Sequence, residues 1–336
     1  MTSATATARP AGGIRWNRWL RRHGWTASVW VLLAALIVWY ATLIPRFGGF
    51  EVATIAKSGL PLALLALAQG VVVIAGGVDL SAGAMLVLVN ALSAQLMLGR
   101  PSAATLLIAL VVVIGAAVVD AGVGWVIDVS KVPDIVVTLA TSFIFFGLAL
   151  WILPSPGGGT SPAMRIMFTG SEFGIGTNPW PSLAVLTTVT AVATWTLRRT
   201  RAGLQLYAVG SDRQASFLAG LNVRRATVTA YAIGGALAAL AGLATTAITG
   251  AGEARASIGN LATLNSVAAV VLGGIVLGGG RGSLIGAAAA GYVLYLLSPI
   301  LTSLGVDPNT AEVLKGVLLI IVVMAAALIQ ARRGDA

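Results

Sequence analysis

One acidic side chain stands where its chemistry needs an explanation. Asp79 lies within GGVDLSAG (residues 76–83), between two strongly apolar runs, in a chain whose 336 residues include only 11 acids. A carboxylate in such surroundings can bind a solute or a proton directly. It can also be structural, because a double glycine lets the backbone turn without a Cβ penalty, and Asp79 can cap the next helix by accepting from N–H groups near Ser81 and Ala82. We favour the structural interpretation and assign the helix break to Gly76, Gly77, Asp79, Ser81 and Gly83.

Other side chains suited to catalysis or metal binding are scarce. The sequence has no cysteine and a single histidine, His23, which argues against thiolate metal sites, disulfides and Ser-His catalysis. The nearest glycine-rich stretch, GGIVLGGGRGS, lacks the lysine of a G-x-x-x-x-G-K-[ST] phosphate loop. We therefore expect no catalytic residue, no metal and no cofactor in this chain, and an enzyme is the weakest of the function classes considered.

The composition places the chain in a membrane. Hydrophobic residues make up 57% of it and charged residues 10%, whereas soluble domains carry about 25% charged residues. From about Trp30 onwards apolar runs recur, most of them roughly 17 to 23 residues long, the length of a membrane-spanning helix. The sequence predicts an all-α fold, a polytopic helical bundle, because helices satisfy their own backbone hydrogen bonds in lipid. The formal charge of +10 is scattered over loops and termini, which does not indicate a nucleic-acid-binding surface.

About ten transmembrane helices are expected. With the N-terminus inside, most of the 21 lysines and arginines fall in inner loops, so the positive-inside rule places both termini in the cytoplasm. We divide the chain into a basic segment (1–26), a transmembrane domain (27–330) and a tail (331–336). An outer loop at 154–180 is expected to be ordered and rich in turns, and a long inner loop covers 198–226. The predicted spans are 27–45, 53–75, 81–98, 103–127, 133–153, 181–197, 227–249, 261–278, 284–304 and 313–330.

The inner loop carries signals for a short helix over about 212–219. Ser211 is the expected N-cap, Gln214 completes a capping box, and Gly220 is the left-handed stop. Such a short helix needs something to pack on, and Phe217 and Leu218 supply an apolar side. This helix either lies on the protein's own inner face or docks in a groove of a cytoplasmic partner.

Four segments together resemble a known family. They are GGVDLSAG (76–83), VPDIVVTLAT (132–141), AVGSDRQASFLAGLNVRRATVTAYAIGGALAALAGL (208–243) and VAAVVLGGIVLGGGRGSLIG (267–286). In this order they resemble the permease subunits of carbohydrate ABC importers of the ribose/xylose/galactose type, within the superfamily that includes branched-chain amino-acid permeases. The resemblance covers nearly the whole chain after residue 50.

The resemblance implies an assembly in the bacterial inner membrane. Two permease subunits, identical or different, would form the sugar path, and an extracytoplasmic binding protein would deliver the sugar. Two cytoplasmic ATPase subunits would bind ATP and Mg, and the inner-loop helix would be the coupling helix that seats in them. That helix maps onto Ser211, Asp212, Arg213, Gln214, Ala215, Ser216, Phe217, Leu218 and Gly220.

Polar residues inside the predicted spans are the candidates for the solute path. Sugars are bound by hydroxyl and amide groups together with aromatic faces. In the fifth span, residues 138, 141, 142 and 145 share one helical face. Hydroxyl groups in spans also bond to carbonyls of their own helix, which is the structural alternative. The candidates are Asn90, Thr138, Thr141, Ser142, Phe145, Thr263 and Asn265.

Several alternatives for the solute and the energy source stay open. The family commonly has a Glu-Leu-Asp-like stretch where this chain has Thr263, Leu264 and Asn265. A branched-chain amino acid, a nucleoside or an autoinducer is therefore an alternative solute. From a different class, an ion-coupled secondary transporter would use a buried acid and a broken helix, which Asp79 superficially fits. Such a carrier needs no long inner loop with a capped docking helix.

Overall fold

The computed structural model describes residues 11–174, 176–307, 309–317, 320 and 324, with side chains from residue 24 onwards. Within these residues the chain is a helical bundle. We call the end that carries residues 198–226 the inner end, and the end that carries residues 154–180 the outer end. The helices are α1 (Ala11–Leu43), α2 (Gly49–Ile74), α3 (Ala82–Met97), α4 (Ser102–Ser130), α5 (Asp134–Ile152), α6 (Pro162–Thr169), α7 (Trp180–Arg199), α8 (Arg201–Ser211), α9 (Arg213–Leu218), α10 (Val223–Thr249), α11 (Ala256–Leu272) and α12 (Leu284–Ser303).

The helical membrane fold agrees with the sequence. Seven of these helices, namely α1, α2, α4, α5, α7, α10 and α12, are long and apolar enough to cross a membrane, and α3 and α11 are shorter apolar helices. Each of the first nine predicted spans overlaps one of them, although the eighth, predicted over 261–278, is placed too late in the chain, since α11 ends at Leu272 where Gly273 and Gly274 begin a turn. The tenth, 313–330, lies mostly outside the described residues, of which 309–317 are helical.

Helix α2 forms the centre of the bundle. It packs against α10, α12 and α11, and most of its residues are buried. Helices α4 and α5 expose many large apolar side chains, among them Leu107, Val118 and Phe143, as expected of helices that face lipid. Small residues let the inner helices approach closely: a Cβ added to Gly242 of α10 would lie 2.6 Å from the carbonyl oxygen of Leu86 in α3.

The outer loop contains the short helix α6 between turns. Ser161 caps α6, with its hydroxyl accepting from the Met164 N–H at 3.4 Å, and α6 buries Met164 and Phe168. The ammonium group of Lys57 in α2 donates to the carbonyl oxygen of Gly174 at 2.9 Å. A lysine placed near the outer end of its span therefore fastens the outer loop to the central helix.

Four glycines lie where separate segments meet at the inner end of α2. Gly76 adopts a φ of +86°, and a Cβ there would lie 3.3 Å from the Cα of Gly210 in α8. Gly279 lies in the connection between α11 and α12, and a Cβ added to it would lie 2.8 Å from the Cα of Gly76. The N–H of Gly280 donates to the carbonyl oxygen of Ile74 at 2.9 Å. The ends of α2, α8 and the α11–α12 connection therefore pack backbone against backbone.

Substitution of Gly210 tests this contact. A Cβ at Gly210 would overlap the carbonyl oxygen of Ile74, so we expect Gly210→Ala to destabilise the protein by about 1–3 kcal/mol through overpacking. Gly147 of α5 is the matched control, because nothing lies within 4 Å of a Cβ there. The measurement is the thermal unfolding midpoint in detergent. Equal midpoints for the Gly210→Ala and Gly147→Ala variants would show that the inner-end contact is not tight.

Candidate functional site

The inner loop contains two helices where the sequence predicted one. Asp212 separates α8 from α9 and is the N-cap of α9, because its Oδ1 accepts from the Ala215 N–H at 2.8 Å. The predicted N-cap at Ser211 is therefore wrong: Ser211 ends α8 and donates its hydroxyl to the Tyr207 carbonyl at 2.8 Å. The capping box with Gln214 is wrong for the same reason, since Ala215 occupies the third helical position of α9.

The end of α9 agrees with the sequence. Gly220 has a φ of +81°, and its N–H donates to the Phe217 carbonyl at 3.0 Å. The N–H of Leu221 donates to the Ser216 carbonyl at 3.0 Å, which completes a Schellman motif. The chain is thereby turned sharply back towards α10 after six helical residues.

Helix α8 is fixed to the bundle. The Tyr207 hydroxyl of α8 donates to the carbonyl oxygen of Gly282 at 3.1 Å. Burial raises the pKa of Tyr207, so the hydroxyl keeps the proton that it donates. Thr200 caps the helix by accepting from the Gly203 N–H at 3.1 Å. Sequence reasoning missed α8, although its buried residues recur with helical spacing: Gly203, Leu206, Val209 and Gly210.

One carboxylate ties α9 to the bundle. Asp128 lies in the last turn of α4 with its side chain 6% exposed, and Arg213, the first residue of α9, approaches its Oδ1 at 2.9 Å. The Nε of Arg224, in the first turn of α10, lies 2.9 Å from Oδ2. Lys131 lies 3.5 Å from Oδ1. Asp128 thus joins α4, α9 and α10 through charge-assisted hydrogen bonds, a group we call the Asp128 cluster.

The opposite side of α9 has no contact of this kind. Phe217 and Leu218 are 69% and 78% exposed, whereas Ser216 is buried against the protein. Beside them lies an open cavity of about 750 Å³, lined by the Asp128 cluster together with Gln214, Phe217 and Leu221. Helix α9 therefore presents an apolar pair with a basic border, and this surface can receive a protein partner.

The carboxylate of Asp79 bonds to Ser81, which is the N-cap of α3, so Asp79 lies two residues before the cap position. Its Oδ1 accepts from the N–H of Ser81 at 2.7 Å and from the Ser81 hydroxyl at 2.6 Å, and α3 begins at the next residue, Ala82. The Asp79 side chain is buried. Both hydrogen bonds end on Oδ1, and both donors belong to the chain itself. This fits the structural interpretation of Asp79.

Neighbouring helices satisfy the polar backbone of residues 76–81. The Gln69 amide, oriented to suit its partners, donates to the Asp79 carbonyl at 2.9 Å and accepts from the Asp79 N–H at 3.2 Å. Thr138 of α5 accepts from the Leu80 N–H at 3.1 Å. The Tyr231 hydroxyl of α10 donates to the Val78 carbonyl at 3.4 Å. Because buried backbone groups need partners, three helices hold this break in place.

The start of α3 also packs tightly on α11. A Cβ added to Gly83 would overlap the Gly259 carbonyl and the Thr263 hydroxyl. The Gly83 N–H donates to Thr263 Oγ1 at 3.0 Å, and that hydroxyl donates to the Gly259 carbonyl at 3.0 Å. Thr263, a predicted path residue, therefore joins two helices and is itself buried.

Most of the other predicted path residues have internal partners. The Asn90 amide donates to Thr246 Oγ1 at 3.0 Å and to the Ala251 carbonyl at 3.2 Å, and it accepts from the Glu253 N–H at 2.8 Å. In α5, the hydroxyl groups donate to carbonyl oxygens of the same helix, and Phe145 is buried in the core. Residues with hydroxyl groups bonded in this way are Thr138, Thr141 and Ser142.

Asn265 is placed differently from the other candidates. It is half-buried and lines an open cavity of about 400 Å³ between α2, α11 and α12. Its amide has no hydrogen-bond partner among the described residues. Sequence reasoning selected Asn265 but not Ser58, Tyr295 and Lys315, which line the same cavity.

Asp120 of α4 is a buried acid that sequence reasoning did not single out as a site residue. It is fully buried, and within the described part of the chain neither carboxyl oxygen has a hydrogen-bond partner. A Cβ at Gly235 of α10 would lie 2.6 Å from its Oδ2. Asp120 therefore packs closely on α10 inside the bundle.

The architecture defines a class of protein. Several apolar membrane helices, a helix broken inside the bundle and a short exposed helix at the inner end are the parts of a membrane transport subunit. The chain belongs to the family described as branched-chain amino acid transport system / permease component, whose profile matches residues 51–323.

Individual relatives narrow this assignment. The chain is 34% identical to the ribose import permease protein of Bacillus subtilis over 268 residues, 78% of this chain and 80% of that protein. It is 30% identical to the fructose import permease protein of Rhizobium meliloti over 304 residues, 87% of this chain and 82% of that one. It is 28% identical to an autoinducer 2 import system permease protein of Escherichia coli over 312 residues, 90% of this chain and 92% of that protein.

No solved structure significantly matches the chain. The family and the relatives establish a permease component of an ABC import system rather than an enzyme. The family, together with the seven apolar membrane helices, places the chain in the bacterial cytoplasmic membrane as a multi-pass protein.

Two substitutions of Asp79 separate its structural role from a direct role in transport. Asparagine keeps an oxygen that can accept from Ser81, so we expect Asp79→Asn to preserve assembly and most uptake. Asp79→Leu leaves two buried donors of Ser81 without their acceptor, which costs about 1–3 kcal/mol for each group, and should lower both the unfolding midpoint and the yield of folded protein. Loss of uptake in a normally assembled Asn variant would instead indicate direct contact with the solute or a proton.

Proposed function

We propose that this chain forms one half of the membrane path of an ABC importer for a sugar or a sugar-like solute. A second permease subunit, identical or related, supplies the other half. A cytoplasmic ATPase binds ATP and Mg and drives the cycle, and an extracytoplasmic binding protein delivers the solute. The chain crosses the membrane ten times, with both termini in the cytoplasm.

The exposed surface of α9 is the observation that carries this proposal. A six-residue helix is too short to be stable alone in water, yet α9 is capped at both ends and anchored by the Asp128 cluster. Its Phe217 and Leu218 are left exposed. A docking helix needs such a combination, because the anchored side must transmit motion while the apolar side enters the partner. This supports Asp212 to Gly220 as the segment that seats in the ATPase.

The relatives support the proposed class of solute. Their names specify ribose, fructose and autoinducer 2 as the imported compounds, all small and rich in hydroxyl groups. A branched-chain amino acid is the second candidate, because the family description names that transport system. Uptake assays with ribose, fructose and leucine distinguish the two classes.

The charge distribution supports the proposed topology. Exposed arginines flank α8 and α9 at the inner end, among them Arg199, Arg201, Arg213 and Arg225. Basic residues are retained on the cytoplasmic side of a membrane. The inner end is therefore assigned to the cytoplasm, which brings α9 to the side where an ATPase can reach it.

Removal of the apolar pair on α9 tests the docking surface. We expect the double variant Phe217→Ala, Leu218→Ala to bind the ATPase at least about tenfold more weakly, because buried anchors at an interface each contribute more than about 1 kcal/mol. The matched control is Phe143→Ala, Ile144→Ala, which changes an equally exposed pair on α5 away from this surface. Affinity is measured with the purified ATPase encoded beside the permease, and uptake is measured in cells.

Two results would contradict the proposal. ATPase binding and uptake unchanged in the α9 double variant would exclude α9 as the docking element. Solute uptake that persists without any ATPase and collapses when a protonophore removes the proton gradient would instead support an ion-coupled carrier, in which the buried Asp79 or Asp120 would be the coupling group.

A further inference from the structure

A groove between α2, α11, α12 and residues 309–317 combines polar side chains with an open cavity. The cavity measures about 400 Å³, within the range of roughly 300–1,000 Å³ typical of small-molecule sites. Most of its wall is apolar, from residues such as Leu62 and Leu86. We define the outer groove by its polar residues Ser58, Asn265, Tyr295, Ser298, Glu312 and Lys315.

Charged residues close one side of the outer groove. The Glu312 carboxylate accepts from the Ser298 hydroxyl at 3.3 Å and lies 3.6 Å from the Lys315 ammonium. The Lys315 side chain is only 7% exposed, and Glu312 at 3.6 Å is its one charged neighbour among the described residues. A buried ammonium normally needs several hydrogen bonds, and its position in the wall of the cavity lets it donate to a ligand there.

Asn265 supplies both kinds of hydrogen-bonding group on the opposite wall. It lies on α11, and its amide offers two N–H donors and one carbonyl acceptor, none of which is bonded to a described residue. Tyr295 of α12 adds an aromatic ring and a hydroxyl group to the same cavity. A hydroxyl group of a solute can donate one hydrogen bond and accept others. The Asn265 amide and the Tyr295 hydroxyl offer both donors and acceptors to such a group.

Two helices that border the outer groove each contain a proline. Pro61 lies inside α2 and Pro299 inside α12, and neither can donate to the carbonyl four residues earlier. The carbonyls of Lys57 and Tyr295 therefore lose their usual helical partner. In membrane helices, carbonyls freed by proline take hydrogen bonds from neighbouring helices, side chains or water. The hydroxyl of Tyr292 holds the two helices together by donating to the Ala56 carbonyl at 2.6 Å.

We propose that the outer groove is a binding subsite for an uncharged polyhydroxylated solute on its way through the permease, with Asn265 and Lys315 as its principal hydrogen-bonding residues. This inference rests on the proposed function. The ammonium and amide donate to solute hydroxyl oxygens, Glu312 accepts from a solute hydroxyl, and the Tyr295 ring covers an apolar face of the solute. A site with so few polar groups binds weakly, which permits release.

The absence of native cysteine provides a direct test. Asn265→Cys and the control Asn260→Cys each introduce a single thiol on α11, and Asn260 is exposed outside the outer groove. Both variants are assembled with the ATPase and binding protein and labelled with a membrane-impermeant maleimide, with and without D-ribose or D-fructose. We expect the transported sugar to slow labelling at residue 265 by at least about fivefold and to leave residue 260 unchanged.

A transport measurement complements the labelling. Asn265→Ala should reduce the rate of sugar uptake at saturating binding protein about tenfold, the loss expected for about two hydrogen bonds, with the unfolding midpoint unchanged. Asn260→Ala should transport like the unmodified protein. Lys315→Met should resemble Asn265→Ala, which distinguishes a shared subsite from a local effect on α11.

Failure of this inference can be told apart from failure of the proposed function. If the unmodified complex imports neither sugar nor leucine, the proposed function is wrong. If a sugar is imported but neither protects residue 265 nor depends on Asn265, only the subsite is wrong. Two further results would also overturn the subsite. Labelling of residue 265 by lipid-soluble reagents alone would indicate a lipid-filled groove. Disulfide formation between two Asn265→Cys copies would indicate an interface between permease subunits.

Discussion

The inner end of this permease depends on one carboxylate that is shared by three helices. Asp128 is almost fully buried, whereas Arg213 and Arg224 reach it from partly exposed positions. Isolated ion pairs on a surface contribute little. Here the carboxylate has little access to water, so removing an arginine would leave a buried charge short of partners. The Asp128 cluster therefore holds the six residues of α9 against α4.

The contacts around this cluster continue towards the helix break. Asp134 begins α5 a few residues after Asp128, and its Oδ2 meets the Tyr231 hydroxyl of α10. Tyr231 and Thr138 both lie against residues 78–80, and Asp79 in turn holds Ser81 at the start of α3. A force applied to α9 therefore reaches α4 and α10 directly, and Tyr231 of α10 contacts the break before α3. The path is a chain of contacts between the docking surface and the centre of the bundle.

Much of the architecture could be predicted because membrane helices leave a strong signal. Runs of apolar residues located nine helices, and Gly220 marked the end of α9. The start of α9 was misplaced by one residue, since Ser211 and Asp212 are both good caps and only the continuation of α8 decides between them. Contacts between residues distant in sequence could not be predicted. The pairing of Asp128 with Arg213 and that of Asn90 with Glu253 depend on how the helices pack. Thr138 and Thr263 were placed on the correct elements, but the sequence could not show that other helices already use their hydroxyl groups.

Coupling through the Asp128 cluster is most directly tested by a double-mutant cycle on the assembled transporter. The variants are Asp128→Asn, Arg213→Gln and their combination, and the measured quantity is the number of solute molecules imported per ATP hydrolysed. If motion of α9 passes through this contact, each single variant lowers the ratio several-fold and the double variant is no worse than either, because the same interaction is lost in all three. Independent losses that multiply in the double variant, or ratios unchanged from the unmodified protein, would contradict this account.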